Sequence, residues 1–304
     1  MQFVTLNNGV VMPQLGMGTY LIPKENLSDT LIEAYRLGYR QFDTAWKYNN
    51  EREIAATFRE HGIAREDLFI TTKVNADVYY RGGYNFGLHR YLNVRNFKSW
   101  KKGIMESFER LETEYIDLFL VHFPYTFYRK LYRELIALYK EGRIRAIGVS
   151  NCSRAHIEYL AEKYDIVPAV NQIEISPLNA EFELVEWCQK QGITVEAMST
   201  FSHYHSVEPR KEIFEHEILN EIARQYNKSV VQIVLRWMLQ RGIVCIPKTW
   251  EFKHLKENIS VFDFVLTEHD MQRINEIDTG HPYNYNCHGP LARLAVPRRL
   301  WGHL

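Results

Sequence analysis

Residues 116–151 read IDLFLVHFPYTFYRKLYRELIALYKEGRIRAIGVSN, in which two apolar runs, 116–123 and 144–151, flank a helix-like run. Strands that are buried on both faces read as nearly continuous apolar runs of this kind. A strand, a crossover helix and a second strand form a βαβ unit, whose two strands are parallel. The stretch therefore predicts an α/β fold with a parallel sheet.

The same alternation extends along the chain in both directions. Further strand-like runs are QFDTA (41–45), LFITTKV (68–74), AVNQIEI (169–175), TVEAMS (194–199) and IVCIP (243–247). A first strand near Pro13–Thr19 brings the number to eight, and eight parallel strands with crossover helices close into a barrel. We see no linker or low-complexity tract, so we expect one domain over residues 1–304 with the (β/α)8 TIM-barrel fold.

Capping signals lie at the ends of several predicted helices. Ser28 is expected to cap a helix that ends at Gly38. Ser229 and Gln232 have the spacing of a capping box, and Thr267 precedes the last periodic apolar segment.

Four additions to the barrel are expected. Residues 3–11 alternate around an Asn-Gly step, which predicts an N-terminal β-hairpin. Lys73 and His122 are 49 residues apart, about 20 more than one βα unit requires, and the excess is the segment 76–97. A second excess, 201–211, follows the seventh barrel strand. Because both follow strands, they are expected at the carboxyl end of the barrel, where barrel enzymes have their active sites, together with a C-terminal loop.

Composition excludes several classes of protein. Lys plus Arg and Asp plus Glu both total 37, so the formal net charge is zero, whereas nucleic-acid-binding and membrane-surface proteins are usually basic. The chain has no run of about 18 apolar residues and its N-terminus lacks signal-peptide features, which favours a cytoplasmic location. Its cysteines form no C-x-x-C pair, which predicts reduced thiols rather than a disulfide or zinc framework. They are Cys152, Cys188, Cys245 and Cys287.

Polar residues stand at the ends of successive predicted strands. Asp43, Lys73 and His122 end three of them, and Tyr48 lies in the loop after Asp43. Each alone has an ordinary explanation: a lysine at a strand end is usually solvated, and a histidine after an apolar run usually belongs to the core. Their joint placement at the rim of one barrel favours a catalytic site.

Carbonyl reduction is the chemistry that fits these residue types. A hydride goes to the carbonyl carbon, and an acid must protonate the developing alkoxide. Tyr48 is the candidate acid, since the ammonium of Lys73 would favour loss of its proton. Asp43 would hold Lys73, and His122 would orient the carbonyl oxygen.

At this point the sequence resembles the aldo-keto reductase family over nearly its whole length. The matching stretches are FDTAWKYNNE (42–51), ITTKV (70–74), IDLFLVHFP (116–124), GRIRAIGVSN (142–151), AVNQIEISP (169–177), IPKT (246–249) and ENISVFDF (257–264). The resemblance implies an NADPH-dependent carbonyl reductase whose catalytic tetrad falls on Asp43, Tyr48, Lys73 and His122.

The resemblance also implies the binding residues. Cofactor contacts would come from Thr19, Ser150, Asn151, Gln172, Met198, Ser199, Lys248, Thr249, His254, Glu257 and Asn258. Substrate contacts would come from Tyr20, Asn75 and His122. The ammonium of Lys248, just after the eighth strand, suits the 2′-phosphate of NADPH.

Three positions depart from the family pattern. Met198 stands where an aromatic residue usually stacks on the nicotinamide, and a thioether can pack there instead. His254 stands where an arginine usually faces the 2′-phosphate, which leaves Lys253 or Lys256 as substitutes and NADH as an alternative cofactor. Asn49 replaces the glycine after the catalytic tyrosine, and asparagine tolerates positive φ.

Other functions stay open at this stage. The family includes regulatory β subunits of potassium channels, so a cofactor-binding subunit is the alternative to an enzyme. An H-x-H pair at His203 and His205, with Glu208, is too small to complete a metal site, and we expect none. RGGYNFG (81–87) is one short loop on a neutral protein and does not indicate RNA binding. We expect a small carbonyl substrate, no nucleic-acid or membrane partner, and a monomer or weak homo-oligomer.

The substrate hypothesis rests on arginines in two segments expected at the rim. The 76–97 insertion carries Arg81, Arg90 and Arg95, and the segment 279–304 carries Arg293, Arg298 and Arg299. Arginine binds carboxylate and phosphate bidentately, so these segments predict an anionic substrate. The alternatives are that the arginines are solvated, pair with acids elsewhere, or form a protein–protein contact.

Overall fold

Eight parallel strands form one sheet in a computed structural model that describes residues 1–75, 98–124, 127–201, 210–282 and 295–303. After the hairpin strands β1 (Phe3–Thr5) and β2 (Val11–Pro13), the sheet strands are β3 (Met17–Gly18), β4 (Gln41–Asp43), β5 (Phe69–Val74), β6 (Ile116–Val121), β7 (Ile144–Ser150), β8 (Val170–Glu174), β9 (Thr194–Met198) and β10 (Val244–Cys245). They neighbour one another in chain order from β3 to β10.

The first and last strands of the sheet meet and close the barrel. Leu15 pairs with Cys245 in a parallel bridge. The amide of Gly16 donates to the carbonyl of Cys245 at 2.8 Å, and the amide of Cys245 donates to the carbonyl of Gln14 at 3.0 Å. The prediction of a closed (β/α)8 barrel is confirmed.

Helices surround the barrel. They are α1 (Lys24–Arg36), α2 (Glu51–Glu60), α3 (Lys98–Arg110), α4 (Tyr128–Lys140), α5 (Arg154–Ala161), α6 (Phe182–Lys190), α7 (Arg210–Glu215), α8 (Glu217–Tyr226), α9 (Val230–Gln240), α10 (Phe252–Ile259) and α11 (Glu268–Asn275). No helix among the described residues is long and apolar enough to cross a bilayer. Beyond α11, a 3₁₀ turn at Arg298–His303 packs against α5, where Leu300 of the turn and Val296 just before it are buried against Ala155.

The predicted N-terminal hairpin covers the amino end of the barrel. Leu6 and Met12 are buried there in one cluster with interior residues of the strands. Asn7 donates to the carbonyl of Pro168, and Asn8 donates to that of Arg145, so the turn is held against the starts of β7 and β8. With this end closed, the carboxyl end is the accessible rim.

The predicted capping box of α9 and the cap of α11 are confirmed, and the cap of α1 is not. The amide of Gln232 donates to the Ser229 hydroxyl, and Thr267 accepts from the amide of Asp270. Helix α1 starts four residues before Ser28, at Lys24 after Pro23, so Ser28 lies inside it. A proline with fixed φ before the first turn starts this helix without a side-chain cap.

Candidate active site at the carboxyl end of the barrel

A buried ion pair joins the ends of β4 and β5. Lys73 Nζ lies 2.6 Å from Asp43 Oδ1 and donates to the carbonyl of Thr44 at 2.8 Å. Both side chains are almost completely buried. Burial raises the pKa of Asp43, while the charge and hydrogen bond of Lys73 and a hydrogen bond from Gln172 oppose that rise. The carboxylate thus fixes the ammonium in place.

Tyr48 ends a 3₁₀ turn that follows β4 and brings its ring beside this pair. Lys73 Nζ lies 5.0 Å from the centroid of the Tyr48 ring. The turn is held from outside by Arg110, whose Nη1 donates to the carbonyl of Trp46 at 3.2 Å. Asn49 terminates it at φ 56°, so the expectation that asparagine adopts positive φ here is confirmed.

His122, directly after β6, completes the group of four predicted catalytic residues. Its ring centroid lies 5.9 Å from that of Tyr48, with the planes at 76°. Burial, then the charges of Lys73 and Lys47, hold the pKa of His122 well below its usual value. The imidazole is therefore neutral near pH 7, and its Nδ1 is a buried polar atom without a hydrogen-bond partner among the described residues.

Two of the predicted substrate residues lie around this group. The Tyr20 ring is 4.6 Å from the Tyr48 ring, centroid to centroid. Asn75 ends β5, is buried, and its Oδ1 has no hydrogen-bond partner within the described parts of the chain. Phe123, which the sequence reasoning did not single out, stacks on His122 with a centroid distance of 4.8 Å. The group of four thus lies among aromatic and amide side chains.

The residues expected near the nicotinamide line the neighbouring strand ends. Ser150 Oγ donates to the carbonyl of Gln172, and Asn151 Nδ2 donates to Ser150 Oγ and to the carbonyl of His122. On the other side, Thr19 Oγ1 donates to the carbonyl of Asp43 at 2.9 Å. The structure therefore brings these predicted residues together around the catalytic group.

The end of β9 carries the two remaining residues expected near the nicotinamide. Met198 is half-buried at the last position of the strand, and Ser199 follows it at φ 55°. Such a backbone conformation is uncommon for a residue other than glycine. A sharp change of direction therefore places these two side chains at the rim.

The residues expected at the adenosine end lie after β10 and on α10. Partial burial and the charge of Arg210 lower the pKa of Lys248, whose ammonium lies 4.7 Å from the centroid of the Trp250 ring. No carboxylate of the described residues forms an ion pair with it. Two of the other predicted residues, Thr249 and Asn258, are buried, and the Thr249 hydroxyl accepts from the amide of Glu251 at 3.1 Å. Glu257 is half-buried and forms an ion pair with Lys253. His254 is exposed.

The sequence reasoning missed a second buried carboxyl group next to the tetrad. Glu196 of β9 is completely buried and bonded to Gln172 and to Gln41. Its signal in the sequence is a glutamate in the middle of the apolar run TVEAMS (194–199). Buried carboxyl groups are rare unless they are paired, so this position is informative.

Several predictions fall partly outside the described residues. The H-x-H pair and Glu208, the insertion 76–97, and Cys287 and Arg293 lie outside them. The described residues contain no group of three His, Cys, Asp or Glu side chains placed to hold a metal ion. Cys152, Cys188 and Cys245 are buried and form no disulfide among the described residues. Arg299 pairs with Glu162 of α5 at 2.5 Å, so this arginine follows the alternative of pairing with an acid elsewhere.

The side chains present fit a nicotinamide dinucleotide. Amide and hydroxyl groups at the ends of β7 and β8 match a carboxamide, which both donates and accepts hydrogen bonds. The ammonium of Lys248, which forms no ion pair with a carboxylate in the described part of the chain, matches a phosphate. His122 Nδ1 and Asn75 Oδ1 have no hydrogen-bond partner in the described structure, so polar atoms are also present for a second, smaller ligand.

Comparison with known proteins agrees with this chemistry. The model of the Aldo/keto reductase family matches residues 13–279. An uncharacterised oxidoreductase, YtbE, of Bacillus subtilis is 42% identical over 281 residues, which cover 90% of this chain and 92% of the relative. A glyoxal reductase of the same species is 38% identical over 278 residues, which cover 90% of this chain and 92% of that relative. The crystal structure of a Bombyx mori aldo-keto reductase in complex with NADP has a TM-score of 0.79 and 30% identity, covering 92% of this chain and 94% of the other.

Proposed function

The chain belongs to the aldo/keto reductase family, and from that premise we propose that it reduces small aldehydes or ketones with NADPH, using Tyr48 as the proton donor. That it is an NAD(P)H-dependent carbonyl reductase follows from the family and from reductase relatives across the whole barrel. The observation that carries the finer assignment is the buried Asp43–Lys73 pair beside the Tyr48 ring.

The proposed roles follow from the positions of the four side chains. When bound, the reduced nicotinamide supplies a hydride to the carbonyl carbon. Tyr48 donates its hydroxyl proton to the carbonyl oxygen as negative charge develops there. Lys73 stabilises the phenolate that this leaves, because its ammonium lies beside the ring and is fixed by Asp43.

His122 acts as a neutral hydrogen-bonding group in this scheme. Its lowered pKa means that the ring lacks the second, acidic proton with which an imidazolium would compete with Tyr48 near pH 7. A neutral imidazole can donate one hydrogen bond and accept another, which suits orientation of a carbonyl oxygen. The buried surroundings exclude water and strengthen this interaction.

The substrate proposal is a small aldehyde, and glyoxal is the first compound to test because a relative of 38% identity bears the name glyoxal reductase. Arg299, one of the arginines expected to favour an anionic substrate, instead pairs with Glu162. Arg81, Arg90, Arg95 and Arg293 lie outside the described residues. A matched pair of aldehydes that differ by one carboxylate tests the charge, and equal kcat/KM for the two compounds would reject an anionic preference.

Assays of NADPH oxidation and NADPH binding with the purified protein test the main proposal. We expect oxidation of NADPH that depends on added glyoxal or another small aldehyde, and saturable quenching of protein fluorescence by NADPH alone. Cofactor binding without turnover of any carbonyl compound would favour the regulatory-subunit alternative. Absence of both binding and turnover would reject the proposal.

We propose that the protein binds NADPH only modestly more tightly than NADH. Lys248 supplies one positive charge for a 2′-phosphate, while the exposed His254 replaces the arginine of the family pattern and Lys253 pairs with Glu257. His254→Arg should tighten NADPH binding by about two- to fivefold, the value of one exposed ion pair, and leave NADH binding unchanged. Equal dissociation constants for the two cofactors in the parent protein would contradict the NADPH preference.

A further inference from the structure

Glu196 is a buried acid that the reaction scheme above does not use. It lies on β9 opposite Gln172 of β8 in the parallel register, and its side chain is completely inside the barrel. Its Oε2 accepts from Gln172 Nε2 at 2.5 Å. The same Nε2 donates to Asp43 Oδ2 at 2.9 Å. Gln172 therefore bridges two carboxyl groups.

This bridge uses both amide protons of Gln172. A side-chain amide has two N–H donors on one end and an acceptor oxygen on the other. Because both donors meet carboxyl oxygens, turning the amide over would place its oxygen against Glu196 and Asp43. The two acids thus fix Gln172 with its nitrogen toward them and its Oε1 toward the remaining side, where an amide proton of a ligand can be accepted.

Glu196 is itself held from the other side. Gln41 Nε2 donates to Glu196 Oε1 at 2.5 Å. Gly16 makes room for this contact, because a Cβ there would lie 2.7 Å from Cγ of Gln41. The backbone just before β3 therefore leaves room for the residue that fixes Glu196.

The charge count explains how two acids can share this space. Among the described residues, Asp43 and Glu196 face one ammonium, that of Lys73, in a completely buried network. Burial and the charge of Asp43 raise the pKa of Glu196 to about 8, against the weaker opposing effects of Lys73 and two amides. Cys245 on β10 stays a neutral thiol, since burial and Glu196 raise its pKa. Glu196 therefore carries a proton near pH 7 and still offers Oε2 to Gln172.

We propose that Glu196 is a positioning residue for the cofactor: together with Asp43 it takes both amide protons of Gln172 and so presents Gln172 Oε1 to the carboxamide of the nicotinamide. The inference rests on the proposed use of a nicotinamide cofactor. Glu196 acts only through Gln172 in this arrangement and does not meet the cofactor itself.

The test is the dissociation constant of NADPH, measured by quenching of protein fluorescence, in the parent and in Glu196→Met. Methionine is close in size to glutamate but accepts no comparable hydrogen bond, so only Asp43 then holds the amide of Gln172, and its second amide proton is left without an acceptor. We expect the dissociation constant to rise about tenfold, which corresponds to about one lost hydrogen bond. The KM for the aldehyde should change less than twofold, because the Asp43–Lys73 ion pair beside the Tyr48 ring stays in place.

A conservative variant separates positioning from packing. Glu196→Gln keeps an acceptor for Gln172, and its new amide can donate to Gln41 Oε1, a buried atom without a described partner, once that amide turns. We expect NADPH affinity within twofold of the parent. Should Glu196→Met not fold, Glu196→Asp serves instead, because the shorter side chain draws the carboxyl group away from Gln172 and should weaken NADPH binding in the same direction.

The control is Glu51→Gln. Glu51 is equally buried but bonds to Thr72 and has no contact with Gln172. NADPH affinity should be unchanged in it. Folded Glu196→Met or Glu196→Asp that binds NADPH as tightly as the parent would overturn the inference. A parent that binds no nicotinamide cofactor would instead overturn the proposed function.

Discussion

The barrel holds a buried aspartate at each end, and the two differ in their partners. At the amino end, Asp117 accepts from Arg65 at 2.6 Å, from Arg145 at 2.7 Å and from the amide of Ile70 at 2.9 Å. At the carboxyl end, Asp43 meets one ammonium and one amide, both completely buried. Asp117 therefore has two cations as partners. Asp43 has one, Lys73, and lies close to a second buried acid, Glu196.

The difference shows what each end is built for. The side chains of Arg65 and Arg145 are 24% and 46% exposed, so their charges remain hydrated while they bind Asp117. Such a cluster has a lower desolvation cost than an ion pair in which both partners are completely buried. The carboxyl end instead keeps polar atoms such as His122 Nδ1 without described partners in a water-poor site. Stability at one end and chemistry at the other is the division of the TIM barrel.

The largest expected effect breaks the chemistry without touching the fold. Tyr48→Phe removes the proposed proton donor and keeps the ring that packs on Tyr20. We expect kcat to fall by about 10² to 10⁴, the usual value of general acid catalysis, with NADPH affinity and melting temperature unchanged. Steady-state kinetics and thermal unfolding measure both. Near-parental kcat would show that another group supplies the proton.

A substitution of Asp117 at the amino end should lower stability and leave catalysis unchanged. Asp117→Asn leaves two arginines without their shared anion, and we expect a loss of about 2 to 3 kcal/mol in the free energy of unfolding, reduced from the value of a fully buried pair because both guanidinium groups reach water. Chemical denaturation gives this number. kcat at 25 °C should stay within twofold of the parent; a tenfold fall would mean that the two ends are coupled.

A graded pair of variants tests the order of influence within the carboxyl end. Lys73→Met should lower kcat by about ten- to a hundredfold, because a neighbouring charge shifts a pKa by roughly one to three units. Asp43→Asn should lower it less, since Asp43 acts through Lys73. The pH dependence of kcat should shift most in Lys73→Met. Equal losses in both variants, with unshifted profiles, would remove this order of influence.

The sequence predicted some parts of the carboxyl end and of the fold and missed others. The tetrad could be placed because strand ends of a parallel barrel converge, and a family resemblance assigned the residues. Glu196 was missed because an isolated glutamate in an apolar run carries no sign of its partner Gln41, which is 155 residues away. The predicted start of α1 was wrong because the helix begins directly after Pro23, whose fixed φ suits a first turn, and has no side-chain cap.

The smallest expected effect is a slope in the pH dependence of stability that originates at the carboxyl end. Glu196 has a pKa of about 8 in the fold and an ordinary value near 4.5 in the unfolded chain, so the folded state binds more protons between these values. Its contribution to stability is complete below the lower value and is lost as the pH rises toward 8, by up to about 1.4 kcal/mol per pH unit. Glu51, whose pKa burial also raises, adds a slope of the same sign, so the parent curve alone does not isolate the contribution of Glu196.

The free energy of unfolding of the parent, measured by chemical denaturation at several pH values between 5 and 8, should therefore be compared with the same series for Glu196→Gln, which cannot ionise. The difference between the two curves should favour the parent most at pH 5 and should shift toward the variant as the pH rises. A difference that stays constant across this range would show that Glu196 does not hold its proton, and the charge count at the carboxyl end would then have to be revised.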